Sequence, residues 1–581
     1  MTGQARLSEI RRDKRGALFA FAVWAACIFV MPSAHAGGGA PKFVDQPTIN
    51  QNPNPRAPLP AILRFKTNEP VSTHVELDDG DRRWTIDFTA EEDPSKGLIV
   101  LGMRPGRTHK LEVSITDADG STTKARRTLT YSTPPLPPVG KEFPTIDVKK
   151  ATPDRMEPGV TILSVRRRAI GRPTWLTPAQ MSFSRNWSLL LALDAEGEVV
   201  WYYISDKRIA GVDRLHNGNL FFHLADFRSV EIDMLGNVVG EWYAENRPDG
   251  RLTLENAVPI KGIQTLHHQP HEMPNGDFLA FTGNTREIPN YYTSETNPKA
   301  PRKTQTVMGD SAIIFSKDGE IKWRWDAFDH LDTNRIGYGL TDPYWQTRGF
   351  KDTLDWTHGN GLGYDEARDE IMISLRLQDA ILGVDHKSGD IKWILGDHKD
   401  WRAPLKSKLL TPVGDDFRWP YHAHNPRTSY ASTIVVFDNG ILQARPFDKP
   451  LPPNKTYSRG VEYEIDEDAM TVRQVWASDY ELTEDSCNGW AMGDAHRLPK
   501  TDNMLVIFAL CVPYVEGLTF DEYDATHRHV DEFPNHGRVR EYTRTTPAEI
   551  LFDVDILDTD DMLQWEVYGG LRAPSLYPKD E

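Results

Sequence analysis

The chain repeats one local pattern, and this repeat limits its possible folds more than any other feature of the sequence. The pattern is an apolar strand, a turn of charged residues or glycine, and a second strand with tryptophan at or near its end. Five clear copies are LLALDAEGEVVWYY (190–203), VEIDMLGNVVGEWY (230–243), IIFSKDGEIKWRW (313–325), ILGVDHKSGDIKWIL (381–395) and VEYEIDEDAMTVRQVW (461–476), and a weaker one is VREYTRTTPAEILFDV (539–554). Short apolar runs separated by turns predict an all-β chain.

A second kind of hairpin lies between these copies. RLHNGNLFFHL and EMPNGDFLAFTG place Asn-Gly between apolar runs, which is a strong hairpin signal. Each repeat therefore holds two hairpins, and four-stranded units that repeat around an axis form a β-propeller. We count six repeats and predict a six-bladed β-propeller over residues 143–581, with seven blades as the main alternative. We expect the strand near 562–570 to close the ring against the first blade.

The residues before the repeats form a separate unit. Residues 42–134 contain short β-rich runs between Gly, Pro and Asp turns, and about ninety residues of this kind predict a small β-sandwich. The proline-rich stretch that follows, residues 135–142, is a stiff linker and a natural domain boundary.

The first 36 residues have the composition of an export signal. Basic residues at 11–15 precede a short apolar run at 17–31, and Ala34-His35-Ala36 is a small-residue cleavage site. The apolar run is shorter than the ~20 residues that cross a bilayer. We therefore predict a signal peptide over residues 1–36, a periplasmic mature protein and no stable membrane insertion, with an uncleaved anchor as the alternative.

The net charge excludes one class of binding partner, and the cysteine content predicts one covalent link. The formal net charge is −17, and an acidic surface argues against binding to nucleic acid. Cys27 lies in the signal segment, so the mature chain keeps only Cys487 and Cys511. Two cysteines in an oxidising compartment predict one disulfide, and a pair of buried thiols is the alternative.

Three histidines occur at matching positions in consecutive repeats. His268 and His424 each lie thirteen residues before a phenylalanine, and HQPHEMPNGDFLAF aligns with HNPRTSYASTIVVF without a gap. His358 lies just before the equivalent hairpin of the intervening repeat. Repeats around an axis would direct these three side chains at a common centre. The nearby histidines that fall outside this position are interpreted as structural, namely His267, His271 and His496.

The residues beside these histidines favour an anion pocket over a metal site. Three histidines could hold zinc, but Arg376 ends the strand that follows His358, and a guanidinium is repelled by a cation. Histidines with Arg376 and the amide of Asn360 suit a sulfate or phosphate ester. No nucleotide-cradling glycine-rich loop occurs, and we predict no cofactor and no metal.

The motifs HHQPHEMPNG, DWTHGNGLGYD with SLRLQ, and AHNPR with VVFDNG resemble those of the bacterial arylsulfate sulfotransferases. The resemblance covers nearly the whole mature chain. It implies a periplasmic enzyme with a small β-sandwich before a six-bladed propeller. It further implies transfer of a sulfuryl group from an aryl sulfate donor to a phenolic acceptor, without a nucleotide donor, by a ping-pong reaction through a sulfated histidine.

The resemblance also assigns the site residues. The nucleophile falls on His424, and His268, His358, Asn360 and Arg376 fall on sulfuryl-binding positions. The sequence departs from the family pattern at Asn425-Pro426, directly after His424, and His422 competes with His424 as the nucleophile. Three alternatives remain on the same scaffold: a metal-dependent esterase or lactonase, a non-enzymatic ligand-binding propeller, and a quinone-cofactor propeller. A homodimer is possible.

Overall fold

The computed structural model describes residues 40–169, 177–247, 255–513, 535–559 and 563–578, and this part of the chain is nearly all β. The expected signal peptide lies outside the described residues. Helices in the described ranges are short, namely the α-helices Pro178–Arg185 and Ala327–His330 and the 3₁₀ turns Pro153–Arg155, Gln346–Arg348, Arg376–Gln378, Leu405–Lys408 and Pro453–Lys455. None of the helices in these ranges has the length and apolar character needed to cross a membrane.

The N-terminal unit consists of two antiparallel sheets. Polar and apolar residues alternate along its strands, so that His109, Leu111, Val113 and Ile115 of one strand all face inward and are buried. One sheet contains Phe43–Gln51, Ala61–Thr67 and Leu98–Val100. The other contains Ser72–Asp78, Arg83–Phe88, Thr108–Thr116, Thr122–Lys124 and Leu129–Ser132. Apolar side chains from both sheets form one core, as the prediction of a β-sandwich requires.

Four sheets of consecutive antiparallel strands follow the linker along the chain. The first contains Ile209–Arg214, Leu220–Leu224, Arg228–Ile232 and Val238–Ala244, with Val258–Ile260 added in parallel. The second contains His267–Glu272, Phe278–Tyr291, Lys303–Phe315 and Ile321–Asp326, with Thr353–Asp355 in parallel. The third contains Gly359–Asp365, Glu370–Leu375, Ala380–Asp385 and Ile391–Gly396. The fourth contains His424–Thr428, Ile434–Asp438, Arg459–Asp466 and Thr471–Ala477, with Thr411–Val413 in parallel.

A ten-stranded sheet joins the start of this region to its end. It contains Asp494–Arg497, Met504–Pro513, His536–Tyr542, Ile550–Leu557, Leu563–Ala573, Val160–Ala169, Ser188–Leu193, Val199–Ser205, Thr145–Ala151 and Cys487–Asn488. The last strand pairs antiparallel with Val160–Ala169 over most of its length, which confirms the predicted closing strand. The fold is therefore all-β and propeller-like, while the count of six blades stays a prediction.

Neighbouring sheets are held together by the tryptophans that end the repeated hairpins. Trp201, Trp393 and Trp476 are all buried. Trp201 Nε1 donates to the carbonyl of Met234 in a turn of the next sheet at 2.9 Å, and Trp393 shares a core cluster with side chains of the fourth sheet. A buried tryptophan removes about 150–250 Å² from water, so these residues contribute strongly to packing between sheets. Cys487 and Cys511 form the predicted disulfide, which joins two strands of the ten-stranded sheet.

Candidate active site

Four of the five predicted site residues line one cavity. Its volume is about 200 Å³, and His268, His358, Arg376 and His424 all contribute to its wall. The ring centres of His268 and His358 lie 5.3 Å apart in an edge-to-face contact. Residues that are distant in sequence thus converge because the first strands of consecutive sheets begin at the same cavity.

The three histidines do not share one position in their sheets, so the predicted register was wrong. His424 pairs with Phe437, but Phe281 pairs with His267 rather than with His268. The pairing slips just after His267 and just after His424, which is a β-bulge in each first strand. His268 has a φ of 63° in its bulge, and this left-handed backbone turns its side chain toward the cavity.

Asn360 is absent from the cavity wall, and its sulfuryl-binding role stays a prediction. Its side chain is fully buried, and its Nδ2 donates to the carbonyl oxygen of Ala423 at 2.7 Å. Ser374 Oγ donates to the same carbonyl at 2.9 Å. Asn360 occupies the bulge of its own strand, between Gly359 and Gly361, so it reaches the neighbouring sheet instead of the cavity. It therefore fixes the backbone directly before His424.

The hydrogen bonds around His424 determine which ring nitrogen carries the proton. Asn439 Nδ2 donates to the carbonyls of Gly489 and Met492, at 2.7 and 3.1 Å. Its Oδ1 must then face His424 Nδ1, at 2.6 Å, and an amide oxygen can only accept. His424 Nδ1 therefore carries the hydrogen, and Nε2 keeps its lone pair. That lone pair accepts the backbone N–H of Met492 at 3.0 Å.

The cavity keeps His424 and His358 neutral. Burial and then the nearby Arg376 cation lower the pKa of His424 well below its usual value. The same two causes lower the pKa of His358 to about 3. Burial lowers the pKa of His268 as well, followed by repulsion from His267. A neutral imidazole with an unprotonated ring nitrogen is a nucleophile, so the electrostatics of the cavity suit the role predicted for His424.

Carboxylates behind two of the histidines orient them. Asp355 Oδ2 lies 2.5 Å from His358 Nδ1, and burial, followed by the charge of Asp310, raises the pKa of Asp355 to about 8. Asp310 lies 3.2 Å from His267 Nε2, and His267 Nδ1 lies 2.7 Å from His268 Nδ1. Two short series of side-chain contacts therefore end at the cavity, namely Asp355–His358 and Asp310–His267–His268.

The remaining histidines have structural contacts. His422 is fully buried and absent from the cavity wall, and its Nδ1 lies 2.8 Å from Asp379. His496 Nε2 bonds to the carbonyl of Gly570 at 2.8 Å, and His271 lies 3.6 Å from Asp213. Of His422 and His424, only His424 contributes to the cavity wall, which favours His424 as the predicted nucleophile.

The residues that orient the histidines were not predictable from spacing within one repeat. Asn439 lies in the motif VVFDNG, where Asn-Gly indicated only a turn, and Asp355 lies in DWTH, three residues before His358. Asp310 and Met492 carried no signal, because Asp310 lies two strands away from His268 in the same sheet and Met492 lies in a loop beyond the fourth sheet. In the ranges that the structure describes, no group of three or more His, Cys, Asp or Glu side chains is arranged to hold a metal ion.

Comparison of the sequence with known proteins identifies the family of the chain. Residues 145–553 match the family model described as Arylsulfotransferase (ASST), and residues 48–134 match the Arylsulfotransferase Ig-like domain. The β-propeller domain of Myceliophteria thermophila Cps50 (Swd1) has a TM-score of 0.29 and 7% identity, over 71% of this chain and 100% of that one.

Two curated relatives carry the same family name. Arylsulfate sulfotransferase AssT of Escherichia coli O6:H1 strain CFT073 is 29% identical over 325 residues, which is 49% of this chain and 51% of that protein. AssT of Lelliottia amnigena is 28% identical over the same shares of both chains. The chain spans about half the length of the curated relatives it matches. Because the family model covers most of the chain and both predicted domains match, the chain belongs to the arylsulfotransferase family.

Proposed function

We propose that the protein is an aryl sulfate sulfotransferase that works through a sulfated His424. The donor is an aryl sulfate ester, and the acceptor is a phenol that enters the same cavity after the first product has left. The observation that carries this proposal is the pairing of His424 Nδ1 with Asn439 Oδ1, because it leaves Nε2 unprotonated inside an arginine-containing cavity.

In the first step His424 Nε2 attacks sulfur in line with the ester bond. The N–S bond forms, the S–O bond to the aryl group breaks, and its electron pair leaves on the phenolate. Nδ1 keeps its hydrogen and passes it to no other group. Arg376 stabilises the sulfuryl oxygens electrostatically. The Met492 N–H loses Nε2 as its acceptor and becomes available to a sulfuryl oxygen.

The Asp355–His358 pair handles the proton of the leaving group. With Asp355 protonated below its pKa of about 8, its proton bonds to His358 Nδ1, and His358 Nε2 carries the other hydrogen. His358 gives that hydrogen to the leaving phenolate while the Asp355 proton moves to Nδ1. The pair then holds one proton fewer, and it recovers this proton from the hydroxyl of the acceptor phenol.

The second step reverses the first with a new phenol. The acceptor oxygen attacks sulfur, the N–S bond breaks, and its electron pair returns to His424 Nε2. Donors with aryl leaving groups are favoured, because a phenol has a pKa near 10 and alkyl alcohols are far weaker acids. The two steps give ping-pong kinetics. Export through residues 1–36 to the periplasm belongs to this proposal, and a homodimer stays a prediction.

One experiment tests the chemistry directly. The protein is mixed with 4-nitrophenyl sulfate, with and without phenol, and nitrophenolate release is followed together with the mass of the peptide that contains His424. We expect a sulfated His424 peptide without acceptor and steady turnover with it. His424→Asn should remove both signals, whereas His496→Asn, outside the cavity, should keep them. Full transfer by His424→Asn would refute the proposal. Transfer that stops on metal chelation would instead favour the metal-dependent alternative.

A further inference from the structure

The same cavity has a second group of cationic side chains that the sulfuryl chemistry does not use. Arg166, Arg185, Arg208 and Arg348 line it together with the histidines, and we call these four residues the arginine wall. Arg166 lies on the strand Val160–Ala169, Arg185 ends the helix Pro178–Arg185, and Arg348 ends the turn Gln346–Arg348. The wall is therefore built from segments outside the strands that carry the three histidines.

Positive charge on the wall exceeds the negative charge that the described residues supply. Arg208 forms an ion pair with Glu566 at 3.1 Å, and Glu566 is shared with Arg168 at 3.3 Å. Among the described residues, the Arg185 guanidinium donates to the carbonyl of Thr347, at 2.6 Å.

Arg348 pairs with no carboxylate within the described part of the chain either. It donates to the carbonyl of Tyr344 at 2.8 Å and to the Thr347 hydroxyl at 3.4 Å. Among the described residues no carboxylate lies within ion-pair distance of Arg185, Arg348 or Arg166. Burial, followed by the charges of Arg348 and Arg208, lowers the pKa of Arg185 to about 10. A bound anion would relieve this repulsion.

Aromatic rings separate the arginine wall from the histidines. The Arg348 guanidinium lies 3.5 Å from the centre of the Tyr344 ring, and that ring lies 4.5 Å from the His358 ring centre. The Arg166 guanidinium lies 4.4 Å from the Tyr568 ring, which in turn lies 6.3 Å from the His268 ring. At both places a single aromatic ring spans the space between cation and imidazole.

We propose that the natural substrates are aromatic compounds with a second anionic group, a carboxylate, sulfonate or further sulfate, which the arginine wall binds. This inference rests on the proposed function and names its substrate class. The phenolic oxygen faces His424, the aromatic ring packs against Tyr344 and Tyr568, and the second anion reaches Arg185, Arg208 and Arg348. Planar guanidinium groups suit such oxyanions because they donate two hydrogen bonds at once. Both the donor and the acceptor need this second anionic group, since they occupy the same cavity one after the other.

The test compares two phenols that differ only in charge. 4-Hydroxyphenylacetate and 4-hydroxyphenylacetamide have similar size, and the methylene group insulates the ring from the substituent. Each is used as acceptor, and the sulfate ester of each is used as donor. We expect kcat/KM for the carboxylate to exceed that for the amide by about tenfold or more, as for a charge-assisted hydrogen bond. A ratio of one or less in the wild-type protein overturns the inference.

Variants locate the source of the preference. Arg185→Gln and Arg348→Gln should each lower the carboxylate-to-amide ratio several-fold, while Arg348→Lys should keep part of it. Arg402→Gln is the matched control, because this arginine has a side chain that is 72% exposed and pairs with Asp332. Its ratio should equal that of the wild type. An unchanged ratio in both Arg185→Gln and Arg348→Gln overturns the assignment to the arginine wall.

Failure of this inference differs from failure of the proposed function. The same preparation is assayed for transfer from 4-nitrophenyl sulfate to phenol, neither of which carries a second anion. Absence of that transfer removes the proposed function. Transfer to phenol without any preference for the carboxylate leaves the proposed function in place and removes only the arginine wall as a substrate site.

Discussion

Replacing Asn439 with alanine tests the argument about the proton on His424. The substitution removes the Oδ1 acceptor 2.6 Å from Nδ1, and leaves only the carbonyl of His422 at 3.2 Å. It also removes the donors to Gly489 and Met492. Loss of one buried hydrogen-bond partner costs about 1–3 kcal/mol. Because about 1.4 kcal/mol corresponds to a factor of ten in rate, we expect sulfation of His424 to slow by about 5- to 150-fold.

The assay is single-turnover release of nitrophenolate from 4-nitrophenyl sulfate, with thermal unfolding measured on the same samples. Asn503→Ala is the matched control, because this buried amide also donates to a backbone carbonyl and a carboxylate but lies away from the cavity. It should lower stability and keep the rate. Asn439→Asp restores an acceptor for Nδ1 but places its second oxygen against the carbonyls of Gly489 and Met492, so it should recover only part of the rate lost in Asn439→Ala. A rate for Asn439→Ala within threefold of the wild type would refute the reasoning.

Three further predictions concern the same cavity. The rate of His424 sulfation, measured by stopped-flow assays, should be the same at every pH from 7.5 to 5.5, because the lowered pKa of His424 keeps the ring neutral. An imidazole with a pKa of about 6.5 would be only about one-tenth neutral at pH 5.5, so the rate would fall. Arg376→Lys should lower kcat/KM by about tenfold or more, since the planar fork is lost, and equal rates would exclude Arg376 as a sulfuryl clamp. Asp355→Asn should slow phenyl sulfate far more than 4-nitrophenyl sulfate, because only the poorer leaving group needs a proton; equal slowing would argue against the Asp355–His358 pair as its source.

The strand pattern of the fold was accessible from the sequence because each hairpin is a local structure. The copy at 190–203 became the strands Ser188–Leu193 and Val199–Ser205, and the copy at 313–325 became the end of Lys303–Phe315 and the strand Ile321–Asp326. Alternating apolar residues and turn residues act within a few positions of each other. The closing strand could also be found, since one unpaired strand remained at the end of the repeats.

The positions of the site residues along their strands could not be predicted in the same way. A gapless alignment assumes that each first strand contains the same number of residues, and bulges break that assumption after His267, at Asn360 and after His424. One inserted residue turns the following side chain to the other face. Residue type and approximate position were enough to bring His268, His358 and His424 to one cavity, while the shared ladder position was wrong. The chemical roles of these histidines and of Asn360 stay predictions.

The orienting residues show why spacing within one repeat is insufficient for such a site. His424 lies on the fourth sheet, and its tautomer depends on Asn439, whose own orientation depends on the carbonyls of Gly489 and Met492. The segment that supplies those carbonyls begins just after Cys487, whose disulfide attaches it to the ten-stranded sheet. The chemistry of the imidazole is therefore determined by a contact between sheets. Substitutions in that segment should change the reactivity of His424 through the backbone groups that contact His424 and Asn439, whereas substitutions in the arginine wall should change which phenols are accepted.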